Sequence, residues 1–473
     1  MPITMTSTPS LSERLAAQLA KAVGAPNVLT DPADLAPFLT DWRGRYRGAA
    51  QCVVRPANTA EVAAVVKICA ETQTPIVPQG GNTSLCGAAT PDGTGRAVVL
   101  SLGRLNSILA VDRQNNTISV EAGCPLAAVQ EAARAADRLF PLALASEGTC
   151  QIGGNLSTNA GGVQVLRYGN TRELTLGLEV VLANGEIWDG LRGLRKDNTG
   201  YDLKQLFIGA EGTLGIITVA VLKLFPLPKT QTTCWLNVAS PSAAVDLLNL
   251  AKTVFDAQLT AFELVSETAL GLVLKNIPDS TRPAAASPWY VLAEFSEAAP
   301  AAVESWLAAQ MESGAVADGV IAQSAAQAKK LWALRENISE AQKIEGISIK
   351  HDVAVPVSRI PAFLERADAA LASAFPGIRV VAFGHVGDGN LHYNLSKADA
   401  QQNTAFIDSQ PAVNEIVHDA VHALNGSISA EHGIGQLKRD ELLRYKSPVE
   451  MALMRSVKQA LDPQGLLNPG KIL

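Results

Sequence analysis

Cysteine is scarce in this 473-residue sequence, and its placement argues against two classes of small fold. The six cysteines lie far apart and form no CxxC pair: Cys52, Cys69, Cys86, Cys124, Cys150 and Cys234. A disulfide framework or a zinc ribbon would require closely spaced or paired cysteines. We therefore expect free thiols and a reducing compartment.

Long apolar runs and blocks of like charge are also missing. There is no run of about 18 uncharged apolar residues, and the N-terminus lacks a basic segment followed by an apolar one, so neither a transmembrane helix nor a signal peptide is predicted. The formal net charge is −6 without any Lys/Arg run, which argues against nucleic acid or an anionic membrane as a partner. The sequence favours a cytoplasmic protein that binds small molecules.

Two nucleotide-binding signatures are absent as well. The sequence contains neither GxGxxG after a predicted strand nor GxxxxGK[ST]. These motifs carry a Rossmann dinucleotide site and a P-loop, respectively, because their glycines let the backbone approach phosphates. The absence of both motifs therefore removes the main sequence evidence for a nicotinamide-dependent Rossmann enzyme and for a P-loop NTPase.

Length and element pattern predict two or three domains of the α+β type. A chain of 473 residues exceeds the roughly 250–300 residues at which a single core stops growing. β-rich runs alternate with helical ones as far as Pro226 and Pro228, which favour a domain boundary. The predicted organisation is a helical lead-in over 1–47, a first domain over 48–228, a second domain with an antiparallel sheet over 229–435, and a C-terminal helical segment over 436–473.

Local signals predict individual elements. Leu11 to Val23 has the apolar spacing of a helix. Thr59 is predicted to cap a helix that runs through Cys69, and Ser242 to cap a helix over Ala243–Leu250. A buried strand over Thr74–Val77 should end at Pro78. Further strands are predicted near Ala97–Ser101, Ile118–Glu121, Leu178–Leu182, Ile216–Leu224, Tyr290–Phe295, Ile347–Val355 and Val380–Phe383.

Three glycine-rich stretches are candidates for cradling a pyrophosphate. They span Gln79–Gly87, Gly148–Gly162 and Gly209–Gly215. Small residues let backbone N–H groups approach a ligand without obstruction by Cβ. Any one stretch could be no more than a tight turn, but three in one predicted domain favour a ligand.

The histidines are concentrated near the C-terminus, where five of the six lie between His385 and His432. Two predicted strands joined by Gly-Asp-Gly-Asn should form a hairpin that brings His385 near His392. Glu431 could add a carboxylate, and such a His₂-carboxylate set suits Zn²⁺, Mn²⁺ or Fe²⁺. A single histidine is more often a turn or core residue, but the three together favour a metal. His418 and His422, spaced i, i+4, are interpreted as a surface or packing pair.

These motifs resemble those of a known family. The three glycine-rich stretches resemble the FAD-binding family of vanillyl-alcohol oxidase type, whose flavin domain consists of two α+β subdomains. Within it, Leu194–Gly209, Trp42–Gly48 and Leu331–Glu336 resemble D-2-hydroxyglutarate dehydrogenases, and the likeness covers about residues 41–473. Some relatives attach FAD covalently through a histidine, but all six histidines here lie at or after His351. The resemblance thus implies non-covalent FAD.

The resemblance and the glycine-rich stretches together assign a set of cofactor-binding residues. Most lie within the three stretches, and one lies near the C-terminus. They are Gln79, Gly80, Gly81, Asn82, Thr83, Ser84, Gly148, Thr149, Gly153, Gly154, Asn155, Thr158, Asn159, Gly161, Glu211, Gly212, Ile216 and Asn468.

The resemblance also assigns the substrate site. It implies that His385, His392 and Glu431 bind a divalent metal, with zinc as the first choice and manganese or iron as alternatives. Substrate contacts are implied at Arg335, Ser339, Lys350, Asn394 and His432. Ser339, one predicted helical turn beyond Arg335, stands at a position where the resemblance also allows threonine. His432 is the candidate general base, since an imidazole with a pKa near 6.5 is matched to that task.

The expected activity is oxidation of a D-2-hydroxy acid, with D-2-hydroxyglutarate as the first choice, by hydride transfer to flavin N5. A dicarboxylate is favoured because Arg335 and Lys350 would otherwise carry more positive charge than a monocarboxylate can match. The resemblance implies an electron-transfer flavoprotein or a quinone as electron acceptor, rather than NAD, and a homodimer is possible. The metal site and the flavin loops are expected in separate domains.

Three alternatives remain at this point. The first is a D-lactate or glycolate dehydrogenase of the same architecture. The second is the non-redox FAD enzyme that exchanges an acyl for an alkyl group in ether-lipid synthesis, which would require a membrane-associating segment. The third is a flavin-binding electron-transfer subunit without catalysis of its own.

Overall fold

The computed structural model describes residues 11–473, so the first ten residues of the predicted lead-in lie outside the described part of the chain. The elements of the N-terminal half are, in chain order, α1 (Leu11–Val23), β1 (Val28–Leu29), α2 (Pro32–Leu39), β2 (Cys52–Val54), α3 (Thr59–Glu71), β3 (Ile76–Gln79), β4 (Val98–Ser101), β5 (Ile108–Asp112), β6 (Thr117–Glu121), α4 (Leu126–Ala135), β7 (Arg138–Leu139), α5 (Ile152–Ser157), α6 (Val165–Tyr168), β8 (Thr175–Val181), β9 (Ile187–Gly190), α7 (Lys204–Phe207), β10 (Ile216–Lys223) and β11 (Phe225–Pro226).

The elements of the C-terminal half continue this order. They are β12 (Gln231–Val238), α8 (Pro241–Phe255), β13 (Leu259–Ser266), α9 (Glu267–Asn276), β14 (Trp289–Ser296), α10 (Pro300–Glu312), β15 (Asp318–Ile321), α11 (Ala325–Glu336), α12 (Ile338–Glu345), β16 (Ile349–Ala354), α13 (Ile360–Ala374), β17 (Ile378–Gly384), β18 (Asn390–Lys397), α14 (Asn403–Ile407), α15 (Gln410–His422), α16 (Arg439–Tyr445) and α17 (Pro448–Leu461).

Two sheets organise the N-terminal half, as the predicted pair of subdomains requires. The first has the order β1-β2-β4-β3, and the second is antiparallel with the order β5-β6-β10-β8-β9. One continuous apolar core joins the two sheets, and Leu467 from the end of the chain is buried in it. The C-terminal tail therefore returns to the N-terminal half.

A seven-stranded antiparallel sheet organises the C-terminal half, in the order β15-β12-β14-β13-β17-β18-β16. Both of its faces are covered. Side chains alternate between the faces of a strand, so Cys234 and Leu236 enter one core cluster while Trp235 enters the other. Helices α8, α10, α13 and α15 contribute to the first cluster, and α9, α11 and α12 to the second. The α+β prediction with an antiparallel second sheet is confirmed.

Two predicted helix caps are wrong by one or two residues. Asn58, not Thr59, caps α3 by accepting a hydrogen bond from the Glu61 backbone N–H. Ser240, not Ser242, caps α8, and Pro241 occupies the first turn. The earlier start is favoured because proline at the first helical position loses no intrahelical hydrogen bond.

The predicted strands are present, but several bounds differ. Pro78 does not end β3, which continues to Gln79. Its lack of an N–H is tolerated because β3 is the outer strand of its sheet. The strand predicted from Leu178 begins instead at Thr175. The predicted C-terminal helical segment is divided into α16 and α17, because Ser447 forms a capping box with Glu450 and starts a new helix.

All six cysteines are free and buried, in agreement with the prediction that none forms a disulfide. Over residues 11–473, the longest apolar helices fall short of what crossing a bilayer would require.

Candidate active site

The hairpin that carries two of the predicted metal ligands is confirmed. Strands β17 and β18 pair antiparallel, with Phe383 opposite His392, and His385 directly follows β17. Glu431 approaches from the segment between α15 and α16. The ligand atoms of His385, His392 and Glu431 all lie within 4.8 Å of one another.

The two imidazoles present the same nitrogen to Glu431. The Nε2 atoms of His385 and His392 each lie 3.9 Å from Glu431 Oε2. Burial, with the negative charges of Asp352 and Asp388, raises the pKa of the Glu431 carboxyl to about 7, although His385 opposes this shift. A carboxylate held in such surroundings is stabilised by a nearby cation. Two imidazoles and one carboxylate are a donor set that fits a divalent ion.

Glu263, which the sequence interpretation missed, lies behind His385. Its Oε1 atom is 2.6 Å from His385 Nδ1, and its Oε2 atom accepts a hydrogen bond of 2.8 Å from Arg335 Nε. Burial favours the neutral acid, but the charges of His385 and Arg335 outweigh it and lower the pKa of Glu263 to about 2. Burial likewise opposes protonation of His385, yet Glu263 and Glu431 raise the pKa of this imidazole to about 9.

Asp352, also missed, organises the segment that carries the candidate base. One of its oxygens, Oδ2, accepts the backbone N–H groups of Glu431 and His432 at 2.8 and 2.9 Å. Oδ1 accepts from Asn390 Nδ2 at 2.9 Å. The side chains of Asp352, His392 and His432 form a second group close enough to hold an ion. Asp352 already accepts three hydrogen bonds, whereas Glu431 accepts one through Oε1 and directs Oε2 at both imidazoles, so the group with Glu431 is the better metal site.

His432 lies with its Nδ1 atom 3.7 Å from Asp352 Oδ2. Burial lowers the pKa of this imidazole to about 4, against the opposing charge of Asp352, and nearby cations including Lys438 and Arg43 act in the same direction as burial. The ring is therefore neutral at neutral pH, but it is a weaker base than the pKa near 6.5 assumed from the sequence. Arg43, in the Trp42–Gly48 segment, was not among the predicted site residues.

The predicted substrate residues are only partly brought together. Lys350 on β16 lies opposite Asn394 on β18, and burial lowers the pKa of its ammonium group to about 8. Asn394 is buried and donates to Gln342 Oε1 at 2.9 Å. Ser339 is exposed, and it belongs to α12 rather than to the helix of Arg335, because α11 ends at Glu336.

The expectation that Arg335 lacks a charged partner is wrong. Its guanidinium group is buried and forms an ion pair with Glu263, and it lies over the Phe383 ring at 4.7 Å. The ion pair runs through Nε, so the terminal nitrogens of Arg335 are not engaged by Glu263. Pairing with a buried carboxylate removes the cost that the charge-counting argument assumed.

The first two glycine-rich stretches lie against each other. A Cβ atom at Gly81 would lie 2.1 Å from the Thr149 carbonyl oxygen, so only glycine permits this approach. Buried polar atoms beside this contact lack a hydrogen-bond partner, namely Gln151 Oε1 and Asn155 Nδ2. Closely packed glycine backbone, with unpartnered polar groups in the same stretch, fits a polar cofactor such as FAD.

The predicted cofactor residues occupy four places in the chain. Gln79 ends β3 and is followed by Gly80, Gly81, Asn82, Thr83 and Ser84; Gly148 and Thr149 precede α5; Gly153, Gly154 and Asn155 lie within it; Thr158, Asn159 and Gly161 follow it. Glu211 and Gly212 precede β10, Ile216 is its first residue, and Asn468 follows α17.

Several of these side chains form internal hydrogen bonds. The Glu211 carboxylate accepts the backbone N–H groups of Ile434 and Gly435 at 2.7 and 2.8 Å. Asn468 Nδ2 donates to the carbonyl oxygens of Ala88 and Glu211. These two side chains therefore hold loops in place, and the sequence pattern carried no signal for that role. Gln79 and Asn82 likewise donate to backbone carbonyl groups near α2.

The metal site and the first two glycine-rich stretches belong to different halves of the chain, as expected, yet they lie in contact. The Gly162 backbone N–H donates to Glu431 Oε1 at 2.5 Å. A Cβ atom at Gly161 would lie 2.9 Å from the same oxygen. The N-terminal and C-terminal halves meet at Glu431, which places the two sites side by side.

The other histidine pair lies outside the site. His418 is buried, with Nδ1 3.1 Å from Glu441 Oε2, whereas His422 is exposed and contacts the Tyr445 ring. Among the described residues, neither histidine joins a group able to hold an ion.

Comparison with family models matches the two halves separately. Residues 50–190 match the FAD binding domain, and residues 227–472 match the C-terminal domain of FAD linked oxidases. In fold, the chain is similar to p-cresol methylhydroxylase, with a TM-score of 0.76, 17% identity and 98% of each chain covered. It is also similar to alkyldihydroxyacetonephosphate synthase, with a TM-score of 0.75, 18% identity, and coverage of 98% of this chain and 86% of that one. The predicted fold class is confirmed.

Sequence relatives are more specific. The chain is 43% identical to D-2-hydroxyglutarate dehydrogenase of Xanthomonas citri pv. viticola, with 96% of each chain covered. It is 39% identical to the enzyme of this name from Stutzerimonas stutzeri, over 94% of this chain and 96% of the relative. A mitochondrial enzyme of that name from Bos taurus is 38% identical, over 94% of this chain and 81% of the relative. The chain therefore belongs to the family of FAD-linked oxidases and, within it, is an FAD-dependent dehydrogenase of the D-2-hydroxyglutarate dehydrogenase group.

Proposed function

We propose that this dehydrogenase oxidises D-2-hydroxyglutarate to 2-oxoglutarate at a divalent-metal site formed by His385, His392 and Glu431. The names of the relatives supply the substrate. The metal is inferred from one observation: three ligand side chains meet beside a glycine-rich loop, where Gly162 contacts Glu431. A substrate bound at this metal would have its 2-hydroxyl group next to the loop that is proposed to hold the flavin.

The donor set suits zinc, which is our first choice, and equally suits manganese or iron. Two imidazoles and a carboxylate leave positions open for the substrate. A bound divalent ion lowers the pKa of a coordinated hydroxyl group. A weak base beside the ion can then remove the proton of that hydroxyl group. Bound FAD supplies the hydride acceptor, N5, and the glycine-rich stretches around Gly81 and Asn155 are the proposed holders of its pyrophosphate.

His432 is the proposed general base. Its Nδ1 atom faces Asp352, which leaves Nε2 as the atom that takes the proton of the 2-hydroxyl group. The neutral ring that burial favours can perform this role. Asp352 is proposed to orient the ring in two ways: its carboxylate accepts the backbone N–H of His432, and it lies next to the Nδ1 atom of the ring.

Arg335 and Lys350 are the proposed receptors of the distal carboxylate. Glu263 holds Arg335 by Nε, which leaves the terminal nitrogens to form a bidentate contact. Phe383 links Arg335 to the metal site, since its ring contacts both the guanidinium group and the ring of His392. Asn394 and Ser339 are proposed to add polar contacts.

The substrate proposal is tested by steady-state kinetics with an artificial electron acceptor. The specificity constant kcat/KM should be highest for D-2-hydroxyglutarate, lower for D-malate, and lowest for D-lactate and glycolate. Arg335→Ala should depress kcat/KM on D-2-hydroxyglutarate by roughly 10–150-fold, and much less on D-lactate, because it removes one charge-assisted contact. A wild-type preference for D-lactate or glycolate would assign the protein to that alternative instead.

An electron-transfer flavoprotein or a quinone remains the proposed electron acceptor. The cytoplasmic location and the homodimer expected from the sequence also stay predictions.

A further inference from the structure

A single carboxylate joins the two parts of the proposed substrate site. Glu263 is fully buried near the middle of β13, a central strand of the seven-stranded sheet. One oxygen is 2.6 Å from His385 Nδ1, and the other accepts from Arg335 Nε at 2.8 Å. Neighbouring strand β17 fixes this arrangement, because Leu264 pairs with Gly384, the residue before His385.

The contact with His385 determines which nitrogen faces the metal site. With Nδ1 directed at Glu263, the Nε2 atom is the one that lies 3.9 Å from Glu431 Oε2. A carboxylate behind a ligating histidine fixes its tautomer and orientation and makes it a stronger ligand. Loss of Glu263 should therefore weaken metal binding without removing any ligand.

The contact with Arg335 fixes the guanidinium group over the Phe383 ring. The planar group then has its terminal nitrogens in a defined place. Without Glu263, the buried guanidinium would lose its charged partner and could rotate about its long side chain. Recognition of a distal carboxylate would suffer even though Arg335 itself is intact.

We propose that Glu263 is a positioning residue that couples metal binding to recognition of the distal carboxylate of the substrate. The inference rests on the proposed function, since it takes His385 as a metal ligand and Arg335 as a carboxylate receptor. It adds that the two tasks depend on one side chain. Both should fail together when that side chain changes.

Glu294 provides a matched control. It is also a buried glutamate and lies on the adjacent strand β14. Its Oε2 atom accepts from Trp332 Nε1 at 3.1 Å, and Trp332 belongs to the same helix, α11, as Arg335. Replacing Glu294 thus disturbs the same part of the core without removing a contact to His385 or Arg335.

The experiment compares wild type, Glu263→Gln, Glu263→Asp and Glu294→Gln as full-length, FAD-containing proteins. The first measurement is Zn²⁺ affinity by competition with a chromogenic chelator. The second is the ratio of kcat/KM for D-2-hydroxyglutarate to kcat/KM for D-lactate. Glu263→Gln should bind Zn²⁺ about 10–100-fold more weakly, the usual effect of removing such a partner, and its ratio should fall as well. Glu294→Gln should keep both values.

Glu263→Asp keeps the charge but is too short to hold both partners, so it should show smaller losses of both kinds. If Glu263→Gln does not fold, Glu263→Asp tests the coupling in its place. Wild-type Zn²⁺ affinity in the Glu263 variants, a loss of affinity with an unchanged ratio, or equal losses in Glu294→Gln would overturn the coupling. A wild-type protein that binds no divalent ion would overturn the proposed metal site itself, and the coupling with it.

Discussion

Gly162 donates its backbone N–H to the carboxylate of Glu431, so a glycine-rich loop of the N-terminal half supports a proposed metal ligand of the C-terminal half. The contact makes Glu431 different from the two histidines that share the site. His385 and His392 lie on or beside the hairpin of the seven-stranded sheet. Only Glu431, of the three, directly joins the proposed flavin loop to the proposed metal.

The first prediction separates the three ligands. Alanine at His385, His392 or Glu431 should abolish metal binding and turnover, measured by elemental analysis and steady-state kinetics. Glu431→Ala should in addition shift the visible spectrum of the bound flavin, because it removes the partner of Gly162. His422→Ala, at an exposed histidine, is the control and should match wild type. Full activity in a chelated, metal-free preparation would refute the metal mechanism.

The second prediction concerns the attachment of FAD. Since the glycine-rich stretches should hold the cofactor through its pyrophosphate, acid or heat denaturation should release all of the flavin. The measurement is flavin absorbance in the supernatant and in the washed precipitate. Yellow colour that stays with the precipitated chain would contradict non-covalent binding.

The third prediction concerns His432. Removal of a general base usually costs about 10²–10⁴-fold in rate, so His432→Ala should lose kcat to this extent. Metal content and the flavin spectrum should be retained, because the imidazole is not one of the three proposed ligands. Rapid-reaction kinetics of flavin reduction would measure the step directly. A variant that reduces its flavin at the wild-type rate would assign the base elsewhere.

The fourth prediction is a pH dependence set by Lys350. Burial lowers the pKa of its ammonium group to about 8, so the charge is present below that pH and is lost as the pH rises through it. The value of kcat/KM for D-2-hydroxyglutarate should therefore fall above about pH 8, because this quantity reports the ionisation of the free enzyme. The measurement is a pH profile for D-2-hydroxyglutarate and D-lactate.

Two controls accompany this profile. D-lactate has no distal carboxylate, so its kcat/KM should lack the decline. Lys350→Arg keeps its charge throughout the range, and the decline should disappear for D-2-hydroxyglutarate as well. The same decline for both acids in the wild type would show that another group titrates.

Local patterns predicted those parts of the fold and site that depend on local geometry. Gly81 must be glycine because its backbone meets Thr149, and such a requirement leaves a visible cluster of small residues. His385 and His392 are seven residues apart in one hairpin, so the turn between them was enough to predict their proximity. The helix over Leu11–Val23 is comparable, since its apolar residues recur at helical spacing.

Contacts between distant strands left no such pattern. Glu263 lies 122 residues before His385, on a strand that the sequence interpretation did not predict. Its side chain is a buried carboxylate within an otherwise apolar run, and only the pairing of β13 with β17 shows what it faces. The contact between Gly162 and Glu431 spans 269 residues and depends on how the two halves meet. Register and domain packing decide such contacts, and neither can be read from local spacing.

The most direct test of the proposed activity is anaerobic reduction of the bound flavin by D-2-hydroxyglutarate, before and after removal of the metal. We predict that D-2-hydroxyglutarate bleaches the flavin absorbance of the metal-loaded protein, that chelation abolishes the bleaching, and that added Zn²⁺, Mn²⁺ or Fe²⁺ restores it. Failure of D-2-hydroxyglutarate to bleach the metal-loaded protein, or equally fast bleaching after complete removal of the metal, would contradict the account.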